Sequence, residues 1–117
     1  MKVYALRTPI SASLENIAAD KSISHRCAIF SLLSDKTSVI KNYLRAQDTL
    51  NTLEIIKALG AKVEECEEIL KITPPSELKE PNTVLECGNS GTAMRLFMGF
   101  LAASDGFFVL SGDKYLN

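Results

Sequence analysis

The sequence is poor in the residues that build metal and disulfide sites. Its 117 residues include no tryptophan, one histidine and three cysteines. Cys27, Cys66 and Cys87 are far apart and form no CxxC pair, so neither a disulfide framework nor a structural zinc site is expected. We interpret the cysteines as unpaired thiols in a reducing, cytoplasmic compartment.

The sequence also lacks a strong charge imbalance and any long apolar run. A formal net charge of −1 argues against a general nucleic-acid binder, which would carry a basic face. No stretch has the length of a membrane span, and the first ten residues lack the apolar core and cleavage site of a secretory signal. We therefore expect a cytoplasmic globular protein without a membrane or nucleic-acid partner.

The hydrophobic pattern predicts strands alternating with helices. The predicted strands cover 2–6, 37–43, 61–65, 68–72, 83–87 and 106–110. A tight acidic turn at Cys66–Glu68 is expected to join the third strand to the fourth. Since the carboxylates of Glu64–Glu68 repel one another, we interpret them as a solvated hairpin tip and not as a metal site.

Three helices are predicted between these strands. The first is expected to begin after Ser22 as N-cap, and the second to be capped by Asp48 or Thr49 and to end at Gly60 in a left-handed conformation. The third, 92–104, is apolar nearly all round, so we expect it to be largely buried.

One polar cluster lies at the start of the first predicted helix, in the stretch DKSISHR at 20–26. Helix N-termini favour anions. Lys21 adds a positive charge, Ser22 a hydroxyl and Arg26 a planar guanidinium suited to phosphate or carboxylate. The alternative is a capping serine beside two solvated charges. His25 has no evident catalytic partner, so we do not interpret it as a base.

A second polar cluster, GNSGT at 88–92, joins an apolar strand to the third predicted helix. Its glycines allow a sharp turn and close approach to a ligand, and its amides can cradle an anion. Asn89 offers an amide, Thr92 a hydroxyl, and Arg95 a charge one turn further on. Neither the Walker spacing nor GxGxxG is present. The alternative is a glycine turn capped by Ser90 or Thr92.

The two motifs, DKSxSHR and GNSGTxxRL, occur in an order and at a spacing that resemble the 5-enolpyruvylshikimate-3-phosphate synthase (3-phosphoshikimate 1-carboxyvinyltransferase) family. The resemblance extends over 3–117 and includes the intervening D-T-L-x-T and A-L-G-A pieces. It implies a cytoplasmic enzyme of aromatic amino-acid and chorismate biosynthesis. Such an enzyme transfers the enolpyruvyl group of phosphoenolpyruvate to the 5-hydroxyl of shikimate 3-phosphate, releases phosphate, and needs no metal or organic cofactor.

The resemblance also implies roles for seven residues. Lys21 matches the family's catalytic lysine, which touches both substrates. The shikimate 3-phosphate ligands are matched by Ser22 and Arg26, and the loop beside phosphoenolpyruvate by Asn89 and Gly91. Two further residues, Thr92 and Arg95, match positions that support this loop. Glyphosate competes with phosphoenolpyruvate at the family site.

The resemblance implies an α/β (α+β) fold built from βαβαββ repeats, here incomplete at about one and a half units. We expect residues 1–19 to form the first strand and crossing segment of one domain, and 20–117 a partial second domain. The chain ends before the Arg-Pro-Met segment expected next, so we interpret it as an N-terminal fragment. Such a fragment is expected to be inactive alone and to self-associate through apolar surface at 93–110, whereas the family enzyme is expected to be monomeric.

Two other interpretations are open from sequence. A UDP-N-acetylglucosamine enolpyruvyl transferase would share the architecture, but its early motif has asparagine after the lysine and a reactive loop cysteine, whereas here Ser22 follows Lys21. The second alternative is a non-catalytic module that binds a small phosphate at the two helix starts.

Overall fold

A computed structural model describes residues 1–2, 4–5 and 8–116 of the chain. Three helices and five strands follow one another in mixed order. They are α1 (Lys21–Phe30), a 3₁₀ turn (Ser31–Leu33), β1 (Ser38–Lys41), α2 (Gln47–Ala58), β2 (Lys62–Cys66), β3 (Ile69–Thr73), β4 (Leu85–Glu86), α3 (Gly91–Leu101) and β5 (Leu110–Ser111).

The larger sheet is antiparallel, with β3 between β1 and β2. Leu70 pairs with Ile40 on one side and with Glu65 on the other. Since side chains alternate along a strand, Leu70 and Ile72 share one face of β3, and both are buried. The predicted acidic turn joins β2 to β3, with Glu67 at a positive φ of 51°.

The smaller sheet pairs β4 with β5 in parallel, Leu85 opposite Leu110. Helix α3 makes the crossover between them, as a parallel pair requires. The amide of Cys87 donates to the Ser111 carbonyl at 2.7 Å, and the amide of Asp113 donates to the Gly88 carbonyl at 3.0 Å. These bonds hold the turn that leads into α3 against the end of the sheet.

One hydrophobic core joins the helices to the larger sheet. The most buried large side chains come from all three helices and from β3 and β4: Ile29, Leu53, Ile56, Leu59, Leu70, Ile72, Leu85 and Phe97. Helix α2 ends as predicted, because Gly60 takes a positive φ of 102° directly after Leu59. The mixed, incomplete α/β fold expected from sequence is confirmed.

Two predicted helix starts are wrong. Helix α1 begins at Lys21 with Asp20 as N-cap, whose carboxylate accepts from the Ile23 amide at 2.7 Å. Ser22 therefore lies inside the helix and does not cap it. Helix α2 begins after Ala46, and Thr49 accepts from the Ala46 amide at 3.0 Å.

The predicted burial of the third helix is also wrong for this chain. Only Ala93, Phe97 and Leu101 of α3 are buried, and Met98 is 58 % exposed. An expected strand at 2–6 includes residues 3 and 6, which lie outside the described residues. Residues 2, 4 and 5 belong to no strand.

No helix within the described residues is both long and apolar enough to cross a membrane.

Candidate functional site at three helix starts

The N-terminal ends of the three helices lie side by side. Lys21, the first residue of α1, forms an ion pair with Asp48 in the first turn of α2. Gly88, just before α3, is packed so close that a Cβ placed on it would lie 3.3 Å from Asp48 Oδ1 and 2.6 Å from Asn51 Nδ2. Because each helix start carries a partial positive charge, their convergence creates a local environment that favours an anion.

The Lys21 side chain is oriented by its ion pair with Asp48 and remains accessible to solvent. Its side chain is 45 % exposed, whereas that of Asp48 is 19 % exposed. An exposed ion pair of this kind contributes only about 0.2–1 kcal/mol to stability, so a stronger anionic ligand can compete for the lysine. Asp48, expected from sequence to be a helix cap, instead orients Lys21.

Ser22 and Arg26 lie on a face of α1 next to the one that carries Lys21. They lie one helical turn apart, and Arg26 Nη1 donates to the Ser22 carbonyl at 3.0 Å. Arg26 is exposed and Ser22 is half-buried. Since Lys21 and Ser22 are consecutive, this face adjoins the one that carries the lysine. No hydrogen bond or ion pair among the described residues joins Ser22 or Arg26 directly to the 88–92 turn.

The turn itself has the conformation that its glycines suggested. Gly88 has a φ of 58°. Residues other than glycine are strained in this left-handed region. Ser90 is the N-cap of α3, and its Oγ accepts from the Ala93 amide at 3.1 Å. Ser90 is buried and Asn89 is exposed. The turn therefore projects the Asn89 amide outward from a fixed backbone.

Gly91 and Arg95 are in contact at the start of α3. A Cβ placed on Gly91 would lie 3.2 Å from Arg95 Nη1, the mobile end of a long side chain, and φ is not positive there. Arg95 is exposed and Thr92 half-buried. The Arg95 guanidinium therefore lies close to Gly91.

Sequence reasoning missed His25 as the residue that connects the three helices. It is wholly buried. Its Nδ1 lies 2.7 Å from Thr52 Oγ1 on α2, and its Nε2 lies 2.9 Å from Ser90 Oγ at the cap of α3. Burial, with Lys21 next in effect, lowers the pKa of His25 from its usual 6.5. Its position four residues after Lys21 was the available signal, because it places both on one side of α1.

Ser24 was also missed. This buried hydroxyl donates to the Asp20 carbonyl at 2.7 Å and accepts from the Leu44 amide at 3.0 Å. It fixes the start of α1 to the loop that leads into α2.

A large cleft lined by described residues lies elsewhere. It measures about 980 Å³, is open to solvent, and is lined by Leu14, Asn16, Ile17, Ala18, Lys41, Asn42, Tyr43, Arg45, Glu67, Glu68 and Ile69. Its charges are of both signs, and Arg45 is already paired with Glu65. None of the seven site residues expected from sequence lines it. The helix starts, with their clustered donors, are the better candidate.

Comparison with known proteins agrees with the resemblance stated above. The family model described as EPSP synthase (3-phosphoshikimate 1-carboxyvinyltransferase) matches residues 5–117. Proteins named 3-phosphoshikimate 1-carboxyvinyltransferase from Campylobacter concisus (strain 13826) and Campylobacter curvus (strain 525.92) are 68 % and 69 % identical over all 117 residues. The chain spans only 27 % and 28 % of their respective lengths.

A solved structure is also similar. The EPSP synthase from Acinetobacter baumannii aligns with a TM-score of 0.77 and 34 % identity, over 86 % of this chain and 23 % of that one. The predicted resemblance is therefore confirmed at the level of sequence and fold, and the chain belongs to the EPSP synthase (3-phosphoshikimate 1-carboxyvinyltransferase) family.

Proposed function

We propose that this chain supplies the acceptor-binding part of an enolpyruvyl transferase site. The reaction would move the enolpyruvyl group of phosphoenolpyruvate to the 5-hydroxyl of shikimate 3-phosphate, with release of phosphate. The observation that carries the proposal is the convergence of three helix starts around Lys21, in a chain of this family.

Charge complementarity supports the choice of substrates. Shikimate 3-phosphate and phosphoenolpyruvate both carry phosphate and carboxylate groups. Lys21 offers three N–H donors and Arg26 a bidentate fork, and Ser22 adds a hydroxyl on the adjoining turn of α1. These three groups are proposed to bind shikimate 3-phosphate.

The second substrate is proposed to lie against the turn. Asn89 and Gly91 would face phosphoenolpyruvate, with Thr92 and Arg95 supporting the loop. Lys21 would touch both ligands and is the proposed catalytic residue, because a fixed positive charge stabilises negative charge as it develops in the transition state. The reaction as proposed uses no metal or organic cofactor.

The 117 residues are proposed to lack turnover by themselves. They span about a quarter of the relatives' length, and electrostatic catalysis needs donors placed on all sides of the reacting groups. We therefore expect weak binding of shikimate 3-phosphate without product. Turnover by the purified chain that disappears in Lys21→Met would contradict this expectation.

The test is a titration of the ¹⁵N-labelled chain followed by NMR. Shikimate 3-phosphate is expected to shift the amides of residues 21–26 and 88–92, and inorganic phosphate to do so more weakly at the same concentration. Equal shifts from both would favour a simple phosphate-binding module. Stronger shifts from UDP-N-acetylglucosamine would favour the other transferase, and shifts confined to the 980 Å³ cleft would contradict the proposed site.

A further inference from the structure

The buried imidazole of His25 connects elements that carry the two halves of the proposed site. It belongs to α1, which begins with Lys21, and it contacts the serine that caps α3. Its other nitrogen contacts Thr52 on α2, one turn after Asp48, the partner of Lys21. No other described side chain makes hydrogen bonds to both α2 and the 88–92 turn.

The hydrogen bonds around His25 select one tautomer. The Thr52 hydroxyl can donate to the Asp48 carbonyl, 3.3 Å away, and its oxygen would then accept from Nδ1–H at 2.7 Å. The Ser90 oxygen already accepts from the Ala93 amide, which leaves its hydroxyl proton for Nε2 at 2.9 Å. In this arrangement every donor has an acceptor. The opposite tautomer leaves the Ser90 proton without a partner among the described residues, which is costly for a buried group.

We propose that His25 is a positioning residue that, as a neutral imidazole protonated on Nδ1, fixes the Gly88–Thr92 turn relative to Lys21. The ligand consequence rests on the proposed function, but the positioning itself does not. If Ser90 were released from Nε2, the N-cap of α3 would lose its support. Asn89 and Gly91 would then move relative to the start of α1.

The surrounding charges agree with a neutral ring. Burial is the largest cause of the lowered pKa of His25; Lys21 and Arg26 on α1 lower it further, whereas Asp48 on α2 raises it. At the start of α3 the ring contacts the uncharged hydroxyl of Ser90, the N-cap of that helix. An added proton would also make Nε2 a donor and remove the acceptor that Ser90 uses.

The first experiment uses the fact that His25 is the only histidine in the chain. Long-range ¹H–¹⁵N correlation spectra assign its tautomer and follow its protonation without ambiguity. The expected result is the Nδ1–H form at pH 7, persisting below pH 6.5 in the folded chain. An Nε2–H form, or free titration at the usual value in the folded chain, would overturn the proposal.

The second experiment compares two substitutions. His25→Phe removes both hydrogen bonds, and we expect the Ala93 amide to exchange with solvent about tenfold faster, since a buried hydroxyl is left unpaired. His25→Gln can still offer an acceptor oxygen to Ser90 and should restore much of the protection. Equal acceleration at Ala93 and at Ile72 in β3, or no rescue by glutamine, would indicate a merely structural residue and overturn the proposal.

Thr52→Val tests whether the hydrogen bond between Thr52 and His25 affects the Gly88–Thr92 turn, even if His25→Phe does not fold. Without its acceptor on α2, the ring should shift toward the Nε2–H tautomer, and the amide signals of Asn89 and Ser90 should move. An unchanged tautomer and an unchanged turn would overturn the proposal.

Titration with shikimate 3-phosphate separates the two proposals. If the wild-type chain fails to bind it but the tautomer and exchange results hold, the proposed function fails and the positioning role stands. If the wild type binds and His25→Phe binds equally with an unmoved turn, the positioning role fails.

Discussion

The chain contains two regions that bury their apolar residues to different extents. In the first, residues 20–73, a three-stranded antiparallel sheet packs against α1 and α2, and Leu53, Ile56 and Ile72 are at most 1 % exposed. In the second, residues 83–116, the sheet has two strands of two residues each. There Met98 is 58 % and Phe107 73 % exposed.

The difference shows that the hydrophobicity of a segment does not by itself determine how deeply the segment is buried. Helix α3 is more apolar than α1 or α2 along its sequence, yet it buries fully only Ala93, Phe97 and Leu101. Met94, Leu96 and Phe100 pack against the core but stay partly exposed, because the described residues do not cover the helix completely. The proposed ligand groups lie where the two regions meet, at the helix starts. The site therefore depends on how firmly the second region is held to the first.

The largest expected effect contrasts core packing in the two regions. Leu53→Ala on α2 should lower the free energy of unfolding by about 2–5 kcal/mol, since it removes a wholly buried side chain. Met98→Ala on α3 should change it by less than about 0.5 kcal/mol. Urea unfolding followed by circular dichroism measures both. Comparable losses would mean that Met98, although 58 % exposed, is packed as tightly as Leu53.

Two glycines of the same turn should differ in their tolerance of alanine. Gly88→Ala should lower the free energy of unfolding by about 1–2 kcal/mol because of the positive φ alone. The contact of the new methyl group with Asn51 should lower it further. Gly91→Ala meets the movable end of Arg95 and makes an ordinary contact with Leu116 at 3.8 Å, so its stability should be within about 0.5 kcal/mol of wild type. Thermal unfolding distinguishes them, and a reversed order would contradict the described turn.

Gly91→Ala, the substitution expected to be tolerated, also tests the proposed ligand site. In the complete enzyme, we expect Gly91→Ala to weaken glyphosate more than shikimate 3-phosphate, because the new methyl group would crowd the proposed phosphoenolpyruvate side. Calorimetric titration of both ligands measures the difference. An equal loss for both would argue against the assignment of Gly91 to that side.

The histidine that joins the regions should make stability depend on pH. Its pKa is lowered in the folded chain, so the unfolded chain binds the proton more readily. The stabilisation is fully present above the unfolded pKa of 6.5 and is lost as pH falls below that value toward the folded pKa. The melting temperature should therefore drop between pH 7 and pH 5, and His25→Gln should reduce that drop. An unchanged slope in the variant would contradict this account.

The smallest expected effect on stability concerns the exposed apolar surface. Met98→Ser combined with Phe107→Ser should reduce self-association of the chain and leave its unfolding nearly unchanged. Sedimentation velocity at several concentrations measures association. The matched control is Val39→Ser, which replaces a side chain that is 57 % exposed in the first region. If the control reduces association equally, the second region is not the contact surface.

Local patterns in the sequence predicted the three helices and the strands of the larger sheet, but the strands predicted at 83–87 and 106–110 shorten to Leu85–Glu86 and Leu110–Ser111. The β2–β3 hairpin and the left-handed Gly60 depend on residues within a few positions of one another, so short-range chemistry determines them. The same holds for Ser90, which the sequence named, beside Thr92, as an alternative cap of α3. The motifs at 20–26 and 88–92 likewise identified the family. The cap of α1 was missed by two residues because aspartate and serine are nearly equivalent as N-caps.

Contacts between distant residues could not be predicted in this way. The pairing of Lys21 with Asp48 spans 27 positions and that of His25 with Ser90 spans 65. Neither follows from periodicity, because both require knowing which helices meet. The burial expected for α3 from its composition was wrong, since an apolar helix is buried only where another element covers it. The exposed Met98 and Phe107 agree instead with the apolar surface expected at 93–110 for a fragment.

The measurement that tests the central claim most directly compares two lysines of similar exposure. Lys21→Met and Lys57→Met each remove one charge from a side chain that is 45 % or 42 % exposed and ion-paired, but Lys57 lies at the far end of α2. We expect Lys21→Met to weaken shikimate 3-phosphate binding about tenfold or more, the effect of losing a hydrogen bond from a charged group, and Lys57→Met to leave it unchanged. Equal affinities for the two variants would contradict the assignment of the ligand site to the three helix starts.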